Sequence, residues 1–305
     1  MAMRLLKRRT RPRQDEHLTY FTETDAAEFR RLVAQSFARA GRDVDVFPDH
    51  LEDRGGTTIG LWNIGALCVG ADMRDWPALL DDHVRLVTTP PRELADLSQD
   101  ELESGLHLRL VESGSVADPD TLAYARVVAP GLLEVLSVDL GEAAATPARE
   151  ELEGRGAIGW LVARGLANLR GVLADDSLEA ETVGEADHGS YTAVSGPSRF
   201  TASLALLLPE AVDRFSGEDD WGRGVLVAVP FRHRLLYRPL DTEDAALALQ
   251  HMLEAAHRDF LAEAGRLSPD VFWVRKNRWA QVTSADTGTP RVLRGTGLRE
   301  ALAAS

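Results

Sequence analysis

The 305-residue chain has one cysteine, Cys68. No intrachain disulfide can form, so a stapled secreted fold and a cysteine-rich zinc site are excluded, and a reducing compartment is favoured. No apolar run approaches the ~18 residues of a membrane span. Arg8-Arg9 invites a twin-arginine export reading, but no apolar segment of ~7–15 residues follows it. A cytoplasmic protein is expected.

Several catalytic signatures are also missing. The eight histidines contain no H-E-x-x-H, and His251 and His257 are six apart, on different faces of a helix. No G-x-x-x-x-G-K-[ST] occurs, so phosphate-loop nucleotide hydrolysis has no support. No G-x-S-x-G surrounds Ser195, Ser198 or Ser203. Gly154, Gly156 and Gly159 do satisfy G-x-G-x-x-G. That motif needs a strand directly before it, whereas Arg149-Glu-Glu-Leu-Glu153 reads as acidic helix. The expectation is therefore no cofactor and no metal.

The chain carries a formal charge of −14, unevenly spread. Met1–Arg13 holds six basic residues and no acid, which leaves 28 basic against 48 acidic residues and a net of −20. So acidic a body argues against a nucleic-acid surface, apart from the basic arm Met1–Arg13. With 44% apolar and 27% charged residues the chain is otherwise globular in composition.

Periodicity divides the chain into a basic flexible arm (1–23), an N-terminal helix–strands–helix domain (24–112), a C-terminal domain (121–283) and a mobile tail (284–305). Asp25–Ala40 reads as a helix, Asp43–Phe47 and Thr57–Trp62 as strands, Ala66–Val69 as a further short strand, and Trp76–Val87 as a helix. Ser98 and Glu101 suit a capping box, and Leu106–Val111 alternates like a strand. The small, polar segment Ser113–Asp120 is the expected boundary. Beyond it, strand pairs 121–128/132–140, 178–183/190–194 and 225–229/235–240 are each followed by a helix, at about 150–173, 200–215 and 242–263. A last pair, 271–274/279–283, closes the pattern. Two strands then a helix, three times over, implies an α+β protein with antiparallel sheets and helices packed on one face.

The best candidate site is Gly224–Pro239, where an apolar run ends at Pro230 and Arg232-His233-Arg234 follows at once. If extended, Arg232 and Arg234 share one face and His233 takes the other. Arginines near a helix start at Ser198-Arg199 suit a carboxylate or phosphate; the plainer reading is solvated charge paired with acidic helices. Ser198 is either a helix cap or, with His233 and Asp139, part of a hydrolase triad. Asn168 interrupts an apolar helix and needs hydrogen-bond partners if buried; it either ties the helix to a loop or lines a cavity.

Four segments together resemble the YtpQ-like family of uncharacterised bacterial proteins over about residues 24–283. They are Asp139-Leu140-Gly141 after a strand, Ala167-Asn168-Leu169-Arg170 in a helix, Ser198-Arg199 at a helix start, and Val229-Pro230-Phe231-Arg232-His233 leading into Leu235-Leu236. Where relatives carry an acid shortly after the Val-Pro, this chain has His233. The resemblance implies a bacterial cytosolic protein of mixed α and antiparallel β structure, with no activity attached.

These readings nominate Asp139, Asn168, Arg170, Ser198, Arg199, Arg232 and His233 as ligand-binding residues. The function expected is a non-catalytic binding or accessory protein for a peptide, a protein or a small anionic ligand. The alternative is a hydrolase or transferase acting on an anionic substrate.

Overall fold

Phe29, Val33 and Phe37 recur on one side of the first helix, α1 (Glu23–Arg39), and all are buried. Thr22 caps α1, accepting a hydrogen bond from the Asp25 amide. The computed structural model describes residues 13–54, 58–89, 93–116, 119–141, 143–185, 188–217, 222–240, 245–285, 290–295 and 297–298. The chain forms two units, Met1–Pro90 and Pro91–Ser305. The division falls ahead of the expected boundary at 113–120, because the strand at Leu106–Glu112 pairs along its length with Leu132–Val138.

In the first unit α1 is followed by the antiparallel strands β1 (Val44–Val46), β2 (His50–Asp53) and β3 (Thr58–Gly60), then α2 (Trp62–Val69) and α3 (Trp76–Thr88). Ala66–Val69 is thus the end of a helix and not a strand. Ile64, Gly65 and Cys68 lie buried along one side of it, a helical spacing that the short apolar run concealed. Residues 13–23 are not a loose arm either. Leu18 and Phe21 enter the core beside Phe29 and Trp76, and Arg30 grips the Asp15 carboxylate with two bonds of 2.9 Å. That grip holds the Asp15 carboxyl down at about 2. The remainder of the basic arm, 1–12, lies outside the described residues. Burial pushes the Cys68 thiol up to about 12, which leaves it a small core side chain without thiolate chemistry.

The second unit opens with α4 (Gln99–Gly105), whose Ser98–Glu101 capping box forms as expected. A four-stranded antiparallel sheet follows: β4 (Leu106–Glu112), β5 (Arg126–Ala129), β6 (Leu132–Asp139) and the short β7 (Ala144–Ala145). Gly131, at φ +78°, gives the β5–β6 turn the left-handed residue it requires. The long helix expected near 150–173 is broken into α5 (Arg149–Glu153) and α6 (Ile158–Leu173). Helix, turn and helix therefore surround the glycine motif, and no strand feeds it.

The large sheet has the order β13-β12-β10-β11-β9-β8 and is wholly antiparallel. Its strands are β8 (Glu179–Val183), β9 (Tyr191–Ser195), β10 (Val225–Ala228), β11 (Arg234–Pro239), β12 (Val271–Arg275) and β13 (Arg278–Gln281). Between β9 and β10 a 3₁₀ segment, Thr201–Leu207, runs into α7 (Leu208–Ser216), and α8 (Ala245–Ala262) follows β11. The protein is α+β, with strand–strand–helix units.

The helices do not keep to one face. Val225, Val227, Leu235, Tyr237 and Phe272 pack toward α6, α7 and the four-stranded sheet. Their neighbours Leu226, Ala228, Leu236 and Val271 pack on α8. Strands this apolar on both sides must be covered on both. Part of the tail is also held: β14 (Thr283–Ser284) pairs with β15 (Arg291–Val292), and Leu298 is buried in the α8 core. No helix among the described residues is long and apolar enough to cross a membrane.

Helix α6 lies unusually close to β4. A methyl at Gly165 would stand 3.0 Å from the Leu108 nitrogen and 3.1 Å from the His107 carbonyl carbon. Gly171, on the same helix, has nothing within 4 Å. Gly165→Val is expected to destabilise the protein by about 1–3 kcal/mol through overpacking against the strand. Gly171→Ala is expected to stabilise it by up to about 1 kcal/mol through helix propensity. Urea unfolding of both variants checks the contrast, and equal effects would contradict the close approach.

Candidate functional site

Four segments of the second unit meet at one place: β4, the turn after β6, the link from β9 to the 3₁₀ segment, and the link from β10 to β11. Leu110 donates its outward amide to Ser203 Oγ at 3.0 Å, so the outer edge of β4 lies against the 3₁₀ segment. Ser203 is thereby a structural acceptor. His107 stacks on Phe200 at 4.2 Å and 11°. The Ala202 amide donates to the Arg232 carbonyl, and the Gly196 amide to the His233 carbonyl, at 3.1 and 3.3 Å. Backbone bonds thus join the two loops that carry the candidate arginines.

Arg232 lies across Gly265, whose φ is +79° and whose missing side chain would sit 2.6 Å from Arg232 Cδ. Arg232 Nε donates to His233 Nε2 at 2.9 Å, and His233 Nδ1 meets the Gly196 carbonyl at 3.2 Å. A carbonyl only accepts, so Nδ1 carries the proton and the ring is neutral. Burial, reinforced by the Arg232 charge, pushes the His233 pKa down. Arg199 donates to the Gly141 carbonyl at 2.5 Å and stands 4.0 Å from the Asp139 carboxylate, which itself accepts the Gly141 amide. Asp139, Arg199, Arg232 and His233 are therefore gathered.

Ser198 lies beside them, but its hydroxyl accepts the Phe200 amide at 3.2 Å and shapes the turn before the 3₁₀ segment. Asn168 points elsewhere. Its amide donates to the carbonyls of Glu103 and Leu106, each at 2.7 Å, which ties α6 to the start of β4. Arg170 is exposed and forms a two-bond pair with Glu210 of α7. Asn168 and Arg170 are two residues apart on a helix and face different ways. Neither belongs to the cluster, although Asn168 sets the strand that does.

Two members escaped the sequence reading, Arg109 and His107. They alternate with the buried Leu106, Leu108 and Leu110 along β4. His107 is half-buried, with Nδ1 on the Gly105 carbonyl at 2.8 Å and its pKa depressed by burial. Arg109 is the most exacting group. Its Nε is sealed from solvent with no hydrogen-bond partner. Arg155 and Arg234 also have sealed Nε atoms, but they use other donors on Leu97 O and on Glu181. Among the described residues Arg109 has no hydrogen-bonded acceptor and no ion pair. Burial, together with the nearby charges of Arg232 and Arg199, pushes its pKa down to about 10. It therefore stays charged at neutral pH.

The arrangement is a half-buried cationic cluster of Arg109, Arg199 and Arg232 with one carboxylate, Asp139, in a chain of net charge −14. Among the described residues no group of three potential metal ligands comes together. A separate open concavity of about 790 Å³ lies at the β12–β13 hairpin, where Trp273 and Arg275 are tied to the carbonyls of Arg223 and Gly222. Comparison with family models, curated proteins and solved structures finds nothing that matches this chain.

Two predictions follow from these charges. Arg109→Met removes an uncompensated guanidinium, and in anion-free buffer it is expected to raise stability by about 1 kcal/mol or more. A loss of stability instead would show that Arg109 is a paired structural residue. For pH, the folded His107 and His233 resist protonation more than the unfolded chain does. Their contribution is present above the ordinary histidine value of about 6.5 and is lost as pH falls through it toward the lower folded values. Urea midpoints are expected to drop as pH falls below about 6.5, less so in a His107→Gln/His233→Gln double variant.

Proposed function

We propose that this chain is a cytoplasmic bacterial protein of the YtpQ-like kind whose second unit binds a small anionic ligand without transforming it. The observation that carries the reading is Arg109: a charged side chain partly removed from water, near two more arginines, with no hydrogen-bonded anion among the described residues and the Asp139 carboxylate acting on it only through space. Desolvating a charge without compensation costs free energy, and a ligand supplying the missing negative charge removes that cost. Arg232 and Arg199 stand ready beside it on loops fastened by backbone hydrogen bonds.

The geometry does not favour the hydrolase or transferase alternative. A triad needs a base nitrogen within reach of the nucleophile's proton. Both ring nitrogens of His233 are engaged, one by Gly196 O and the other by Arg232 Nε, and the Ser198 hydroxyl is turned to the Phe200 amide.

Isothermal titration with inorganic phosphate tests the binding reading. Wild-type protein is expected to give saturable heat, and an Arg109→Gln/Arg232→Gln double variant of unchanged fold is expected to give none. A flat wild-type titration at matched ionic strength would overturn it.

A further inference from the structure

The three guanidinium groups lie near enough for their charges to repel one another. Arg109 feels the charges of both Arg232 and Arg199, and Arg232 feels that of Arg199. They come from three separate segments: β4, the link after β9 and the link after β10. They differ in how many donors remain. Arg199 has committed one terminal nitrogen to Gly141 O, and its Nε lies at 4.0 Å from Asp139. Arg232 has committed only Nε, to His233. Arg109 has committed none. Among the described residues, the terminal N–H groups of Arg109 and Arg232 have no protein acceptor.

The charge count is equally specific. Among the described residues, three guanidiniums against the Asp139 carboxylate leave two positive charges to be balanced, since burial disfavours charge on His107 and His233 and Arg232 Nε occupies the His233 Nε2 lone pair. A carboxylate brings one negative charge and two coplanar oxygens. It satisfies one guanidinium fork well and leaves the third arginine facing uncompensated repulsion. A phosphate monoester brings nearly two negative charges and three acceptor oxygens in a tetrahedral array, one for each of three donors that come from different segments. A phosphodiester has the tetrahedral shape but only one charge.

We infer that the anionic group recognised at Arg109, Arg199 and Arg232 is the dianion of a small phosphate monoester. The inference rests on the anion-binding reading above and narrows it. The half-buried position of the arginines, flanked by the His107–Phe200 stack, suits a small molecule that enters the cluster.

The test compares three probes at about pH 8, where a monoester is fully dianionic, and at one ionic strength: methyl phosphate, dimethyl phosphate and acetate. Methyl phosphate is expected to bind at least about tenfold more tightly than either monoanion. Arg109→Gln, Arg199→Gln and Arg232→Gln are each expected to reduce that preference, and a cooperative thermal transition without ligand, at or above the wild-type midpoint, establishes that each variant folds. Acetate binding as tightly as methyl phosphate, with loss in the same three variants, would overturn the monoester assignment and leave the anion site standing. Absence of binding by all three probes would remove both. A phosphoserine peptide binding more than about tenfold tighter than methyl phosphate would overturn the small-molecule part, since contacts beyond the phosphoryl group would then dominate.

Discussion

Where α6 crosses β4 there is no room for a side chain at Gly165, and one turn later Asn168 holds two carbonyls at the α4–β4 junction. That contact fixes where β4 begins and how it lies on the helix. Leu106, Leu108 and Leu110 then face the core, so His107 and Arg109 must face away from it. The free edge of β4 would expose unpaired amides; Ser203 takes one of them and brings the 3₁₀ segment alongside. The same segment carries Phe200 against His107 and, through Ala202, holds the Arg232 carbonyl. A helix–strand contact thus determines that three arginines from distant parts of the sequence share one place.

Once gathered, these arginines oppose the fold that gathers them. Like charges in partial burial repel, and among the described residues Asp139 is the one carboxylate bonded into the cluster. Elsewhere in the chain several arginines are paired with acids, and others are held by backbone carbonyls. Arg30 grips Asp15, Arg170 grips Glu210, and Arg126 grips Glu134. In a chain with 48 acidic residues, a half-buried Arg109 with neither a carboxylate nor a carbonyl bonded to it among the described residues stands apart. Departures of this kind concentrate at sites where a partner arrives from outside.

Much of the scaffold was legible from local pattern. The Ser98–Glu101 capping box, the α1 stripe and the strand pairs of the second unit are set by contacts between near neighbours in sequence. The strand expected at Ala66–Val69 is a helix because a short apolar run carries no decisive period. Helices on both faces of the large sheet were foreshadowed by the unbroken apolar run of β10 and by the consecutive Leu235, Leu236 and Tyr237 of β11, which depart from strict alternation. At the site, Arg232-His233 stood out because charge followed an apolar run directly. Arg109 did not, because its importance comes from a bond between residues 93 apart, Leu110 to Ser203, which no local pattern reports. Asn168 and Arg170 were grouped with the site by motif proximity, although two residues on a helix point in different directions.

The central claim is that Arg109 is a charge awaiting an external partner. The most direct measurement is the side-chain ¹⁵Nε–Hε resonance of Arg109, followed by NMR as inorganic phosphate is added. The account predicts a saturable shift of that resonance together with those of Arg199 and Arg232, while the Arg30 and Arg170 signals stay in place. An Arg109 signal that does not respond while the protein remains folded would contradict it.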